Sequence, residues 1–169
     1  MIHLLTGGAR SGKSRLALTL AEAVEGPIDF IATAQAGDED MAARIRQHQA
    51  ERGPRYRSTE APVELTASVL SLRPGGAIVV DCLTLWCANL IFAGLDDAEI
   101  GDRSAQLIEA LRESARPTFV VTNEVGLGIV PADALSRRYR DLLGRMNQRF
   151  AATADRVTFL VAGLPVTLR

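Results

Sequence analysis

TGGARSGKSR, residues 6–15, decides how this chain folds. Within it, Gly7-x-x-x-x-Gly12-Lys13-Ser14 satisfies the pattern G-x-x-x-x-G-K-[ST] at every fixed position. Such a loop works only between a strand and a helix, where backbone N–H groups and the positive helix end converge on phosphate oxygens. IHLLT (2–6) supplies the strand and SRLALTLAEAV (14–24) the helix. Gly7 and Gly12 permit a close backbone approach that a side chain would block. Lys13 is the only lysine of the 169 residues, all the other basic side chains being arginine. It offers a point charge to the β and γ phosphates, and the Ser14 hydroxyl offers an oxygen to Mg2+. A nucleoside triphosphate is the expected ligand.

Working outward, apolar runs of strand length recur at IDFIAT (28–33), AIVVDC (77–82), TFVVTN (118–123) and RVTFLVA (156–162). They are nearly continuous rather than alternating, as in strands buried on both faces. Helical patterns lie between them at residues 13–24, 39–51, 63–72, 83–92, 99–114 and 134–152. Strand and helix alternate, which predicts an α/β fold with a mostly parallel sheet, right-handed crossovers and helices on both faces. No linker long enough to divide the chain interrupts this order, so residues 1–169 are expected to form a single nucleotide-binding domain.

Ligands of such sheets bind at the carboxyl ends of the strands. The candidate segments are therefore 7–14, 33–38, 81–84, 123–131 and 162–165. AIVVD ends on Asp81, an apolar strand closing in a carboxylate, which suits a second magnesium ligand and equally suits a simple cap. Met41, Ile45 and His48 share one helical face. His48 there is either a half-buried packing residue or a nucleophile whose neutral imidazole attacks an activated phosphorus. His3 lies inside the first strand and reads as structural. Asn123 and Glu124 stand at a strand end before a glycine-containing loop. Arg137, Arg138, Arg140, Arg145 and Arg149 line a helix as a solvated face or an anion-binding one.

Composition bounds the partners. The formal net charge of -1 argues against a general nucleic-acid binder. No apolar run reaches the length of a membrane span and no signal peptide opens the chain, so a cytoplasmic protein is expected. Cys82 and Cys87, four residues apart, fit neither a zinc pair nor a redox C-x-x-C and are expected to be buried reduced thiols.

Taken together, TGGARSGKSR, IATAQ (31–35), DEDMAARIRQH (38–48), STEAP (58–62), DCLTLW (81–86), NEVGLGIVP (123–131) and RRYRDLLGRMNQ (137–148) resemble the bifunctional adenosylcobinamide kinase / adenosylcobinamide-phosphate guanylyltransferase family. The resemblance runs from end to end of the chain. It implies a RecA-like P-loop NTPase fold of three layers, with an antiparallel strand at one edge of the sheet, and a homotrimer. It implies that adenosylcobinamide is phosphorylated with ATP or GTP, and that GMP from GTP is then placed on adenosylcobinamide phosphate with release of pyrophosphate. His48, closing R-I-x-x-H, is the residue it implies to be guanylylated, with Lys13 as the other catalytic group. The implied nucleotide site comprises Gly7, Gly8, Ala9, Arg10, Ser11, Gly12, Lys13 and Ser14. Thr33, Ala34, Gln35, Gln49, Ala50, Glu51, Arg52, Glu60 and Asp81 complete it. Mg2+ falls to Ser14 and Asp81. Tyr56 stands where many members carry tryptophan.

Overall fold

The structure is a computed structural model and describes residues 1–34 and 53–169. Its strands are β1 (Ile2–Gly7), β2 (Ile28–Ala32), β3 (Tyr56–Glu60), β4 (Ile78–Asp81), β5 (Thr118–Val121), β6 (Arg156–Val161) and β7 (Leu164–Thr167). The described helices are α1 (Lys13–Glu22), α2 (Leu65–Leu70), α3 (Leu83–Phe92), α4 (Asp97–Glu113) and α5 (Ala134–Thr153). The expected helix over 39–51 lies outside the described residues.

All the strands join one sheet in the order β3-β2-β4-β5-β1-β6-β7. Every pairing is parallel except β6 with β7, the antiparallel edge. Successive side chains of a strand point to opposite faces, and the core divides accordingly. Ile2, Leu4, Ile78, Val80 and Val120 face α2 to α5, whereas Leu5, Val79, Phe119 and Val121 face α1. Trp86, fully buried on α3, donates its indole N–H to the Val63 carbonyl at 2.9 Å. The apolar runs of the central strands are thus buried twice over, as their near-continuous hydrophobicity required.

The two edge strands carry no such signal, and neither figured in the sequence reading of strands. YRSTE (56–60) is polar because one side of β3 meets no further described strand. LPVT (164–167) is short, exposed and contains a proline, which an edge strand tolerates. Helix α4 is fixed at its start by a capping box. Asp96 accepts from the Ala98 and Glu99 amides, and Glu99 accepts from the Asp96 amide at 2.7 Å.

His3 is buried in β1, its ring nitrogen Nε2 2.8 Å from the Thr158 hydroxyl. Burial, and secondarily the Arg156 charge, holds its pKa below 6.5. Both cysteines are free. Cys87 is buried, and burial pushes its thiol up to about 12. Cys82 is only half-buried, a correction to the expectation of two buried thiols, because it caps the start of α3 at the rim of the sheet.

The candidate active site

Gly7 has φ +147°, and a Cβ there would lie 2.5 Å from the Leu160 carbonyl oxygen of the neighbouring β6. Glycine is therefore required for the chain to leave β1 beside β6. Gly12, with φ 95°, then starts α1. Between them the loop wraps the lysine. Lys13 Nζ donates to the Gly8 carbonyl at 2.5 Å and to the Ser11 hydroxyl at 3.3 Å. The residue is 6% exposed, and burial holds its pKa below 10.5, against the opposing pull of Cys82 and Asp81. An ammonium poised this way gains from any anion that replaces the water it has lost.

The loop opens on a cleft of about 620 Å³ lined by residues 10–15 and by Ala162 and Gly163. Ala162 (φ 50°) and Gly163 (φ 84°) form the tight turn between β6 and β7, both in the left-handed region that such turns demand. Of the candidate segment 162–165 the first two residues therefore meet the phosphate loop, while Leu164 and Pro165 belong to β7.

Asp81 ends β4, separated from β1 by β5. Strand register sets Glu60, Ala32, Asp81, Val121 and Leu5 in one row across the carboxyl ends. At 4.7–4.9 Å per strand, Asp81 stands roughly 10 Å from β1 and Glu60 roughly 19 Å. Glu60 is exposed at the far end of that row.

Thr33 is fully buried at the tip of β2. Its hydroxyl donates to the Cys82 carbonyl at 2.7 Å and accepts from the Cys82 amide at 2.8 Å. Its amide donates to the Asp81 carbonyl and its own carbonyl accepts from Asn89 Nδ2 at 2.8 Å. All its polar groups are thus satisfied within the protein, so its side chain keeps no free group for a ligand. Ala34 follows, half-buried, at the same edge of the sheet. Gln35, His48, Gln49, Ala50, Glu51 and Arg52 lie outside the described residues.

A second polar cluster, with no role assigned from the sequence, braces β5 against the loop. Asn147 on α5 accepts from the Thr122 hydroxyl at 2.7 Å and donates to the Asn123 carbonyl at 3.0 Å. The Asn123 amide donates to the Thr84 hydroxyl at 2.7 Å, and the Glu124 amide donates to the Gly7 carbonyl at 3.1 Å. N-E at the strand end and N-Q on the helix were the signals that could have revealed it. The arginine face of α5 is mostly occupied by protein acceptors. Arg138 and Arg145 both pair with Asp97, and Arg149 donates to the Gly101 carbonyl. These arginines thus brace α5 against α4 and its start, rather than standing as the freely solvated or anion-binding face that the sequence offered.

Comparison with known proteins adds to this geometry. Residues 3–168 match the family described as cobinamide kinase / cobinamide phosphate guanyltransferase. The bifunctional adenosylcobalamin biosynthesis protein CobP of Pseudomonas aeruginosa is 46% identical, covering 100% of this chain and 98% of its own length. A CobU protein of the same description from Salmonella typhimurium is 42% identical over the whole of both chains. Among solved structures, a KaiC-like protein from Pyrococcus horikoshii superposes with a TM-score of 0.55 at 15% identity, over 94% of this chain and 69% of that one. The RadB recombinase does so with a TM-score of 0.54 at 13% identity, over 94% and 73%. These two likenesses establish the RecA-like P-loop architecture.

Proposed function

The chain belongs to the cobinamide kinase / cobinamide phosphate guanyltransferase family, and from that premise we propose how its residues divide the work. The enzyme phosphorylates adenosylcobinamide and then transfers GMP from GTP to adenosylcobinamide phosphate, in the biosynthesis of cobalamin. The carrying observation is the match over residues 3–168, which includes the whole phosphate loop.

In the kinase step the amides of residues 8–14 and the start of α1 cradle the β and γ phosphates of GTP or ATP. Lys13 offsets charge as the bond to the departing nucleoside diphosphate loosens, while the loop keeps the γ phosphorus in line with the substrate hydroxyl. The Ser14 hydroxyl and Asp81 carboxylate are oxygen donors of the kind Mg2+ takes together with substrate phosphates. Among the described residues no group of three His, Cys, Asp or Glu side chains offers a separate metal site. Bound there, Mg2+ would neutralise charge on the β and γ oxygens. Glu60, roughly 19 Å from β1 along the sheet edge, serves the nucleoside end rather than the phosphates.

In the second step His48 is the nucleophile. Its neutral imidazole forms a P–N bond to the α phosphorus of GTP, pyrophosphate leaves, and the substrate phosphate then takes the GMP. The family resemblance supports this assignment, together with Thr33 and Ala34 following β2 at the carboxyl edge of the sheet, where β1 also feeds the loop. Gln35, Gln49, Ala50, Glu51 and Arg52 complete the nucleotide site in the same reading.

We also infer a homotrimer acting in the cytoplasm without nucleic acid. Leu127, Ile129 and Val130, 76%, 96% and 59% exposed between β5 and α5, support self-association. Among the described residues no helix is long and apolar enough to cross a membrane.

The test incubates the protein with adenosylcobinamide and GTP labelled at the α phosphate, then weighs products and protein. The parent should yield adenosylcobinamide-GDP and an acid-labile GMP adduct. His48→Ala should stop at adenosylcobinamide phosphate, and Lys13→Ala should yield neither product. Full guanylyl transfer by His48→Ala would remove the histidine from the mechanism.

A further inference from the structure

Helix α5 contains a glycine that the packing of the protein does not require. A Cβ built on Gly144 would meet no heavy atom within 4 Å, and its φ is not in the left-handed region. Glycine is among the weakest helix formers, so a mid-helix glycine with room to spare calls for a reason. Gly101 on α4 makes the contrast: a Cβ there would lie 2.8 Å from Arg149 Nη1. What surrounds Gly144 instead is a cavity of about 230 Å³ between α5 and the β1 and β6 strands.

The lining of this cavity is specific in chemistry. Leu4 and Val157 form an apolar floor, and Thr6, Glu124, Asn147 and Gln148 bring polar groups to it. Thr6 is 7% exposed, and among the described residues its hydroxyl has no hydrogen-bond partner. A buried hydroxyl left so is costly unless something supplies the bond. Asn147 uses its oxygen for Thr122 and one amide hydrogen for Asn123, leaving one hydrogen unused. Glu124 adds a carboxylate, and among the described residues no lysine or arginine lines the space. A phosphate would meet repulsion here. A carboxamide would find the Thr6 and Asn147 donors for its oxygen and the Glu124 carboxylate for its NH2 group.

The cavity also shares a wall with the phosphate loop. Thr6 directly precedes Gly7, and the Glu124 amide donates to the Gly7 carbonyl. We propose that this cavity beneath Gly144 is a subsite for an uncharged carboxamide arm at the edge of the acceptor corrinoid, anchoring it beside the phosphate loop. The proposal rests on the function given above, since cobinamide is an acceptor whose ring edge bears such arms. Gly144 leaves the space, and the Thr6 hydroxyl supplies a bond that the protein itself does not use.

Two variants test it through steady-state kinase kinetics, GTP titration and thermal unfolding. Gly144→Leu fills the space, and Thr6→Val removes the hydroxyl at nearly constant volume. Each should raise KM for adenosylcobinamide about tenfold or more while kcat and GTP affinity stay within about twofold. Gly144→Leu should also raise the melting temperature by about 3 °C, because the helix gains a better former. Gly144→Ala provides a milder version should leucine prevent folding. Parental KM in both variants of an active enzyme would show a cavity that holds water only, and would overturn the subsite alone. A parent protein that turns over no cobinamide would overturn the function as well.

Discussion

Thr33 and Cys82 are bonded to each other twice, the threonine hydroxyl donating to the cysteine carbonyl at 2.7 Å and accepting from its amide at 2.8 Å. One hydroxyl thereby joins the tip of β2 to the residue that follows Asp81 and caps α3. Thr33→Val keeps the volume, strands the Cys82 amide and leaves the Cys82 carbonyl only the Trp86 amide at 3.2 Å, which should cost about 2 kcal/mol of stability. Because the same bonds set the direction in which β4 ends, triphosphate affinity should fall too. Thr33→Ser should restore both. Urea unfolding and GTP titration of the three proteins check this, and an unaltered Thr33→Val would show that Asp81 is positioned by other contacts.

The single lysine makes the phosphate loop directly observable. Protein labelled with 15N-lysine carries one Nζ resonance, from Lys13. Burial lowers its pKa, so without nucleotide it should titrate below 10.5. A bound triphosphate stabilises the charged form and should raise that pKa. Linkage then fixes the sign: GTP affinity is level below the free-protein pKa and weakens as pH rises through it towards the bound-state value. A pKa unmoved by GTP would mean that the ammonium does not face the phosphates.

How much of this was legible from the sequence depends on what each residue answers to. The central strands betray themselves because burial on both faces demands continuous apolar runs, and the loop does because Gly7 and Gly12 have no substitutes at φ +147° and +95°. Tyr56–Glu60 and Leu164–Thr167 answer to one neighbour each, so their composition is free to look like loop. Thr33 drew notice in the sequence as a residue following a strand, and its inward-turned hydroxyl was not legible, since the partner lies 49 positions away. Asn147 and Thr6 were hidden for the same reason: a long-range bond, or the lack of one, leaves no local pattern.

His3 predicts a pH effect distinct from catalysis. Its folded pKa is lowered, so the unfolded chain binds its proton more readily. Its contribution is level above the unfolded value of 6.5 and becomes a growing penalty as pH falls from there towards the folded pKa. His3→Gln keeps a hydrogen-bonding group near Thr158 without the titration. Between neutral and mildly acid pH the parent should therefore lose stability faster than the variant, measured by urea midpoints at each pH. Parallel curves would show that the buried ring does not resist protonation.

At the other end of the sheet, Asp29 holds two guanidinium groups on one oxygen. Arg57 lies 2.5 Å and Arg116 2.6 Å from its Oδ2, with the carboxylate side chain only 5% exposed. Arg116 also donates to the Gly76 and Ala77 carbonyls, so the cluster ties the amino ends of β2, β3 and β5 together. Asp29→Asn removes the charge and leaves two cations facing each other in a half-dry site, at a cost of about 3 kcal/mol. Because the nucleotide cleft lies at the opposite ends of the strands, GTP affinity of the folded variant should match the parent. Denaturant midpoints and GTP titrations separate the two effects. A stability loss below about 1 kcal/mol would show that water already screens the cluster as it does a surface pair.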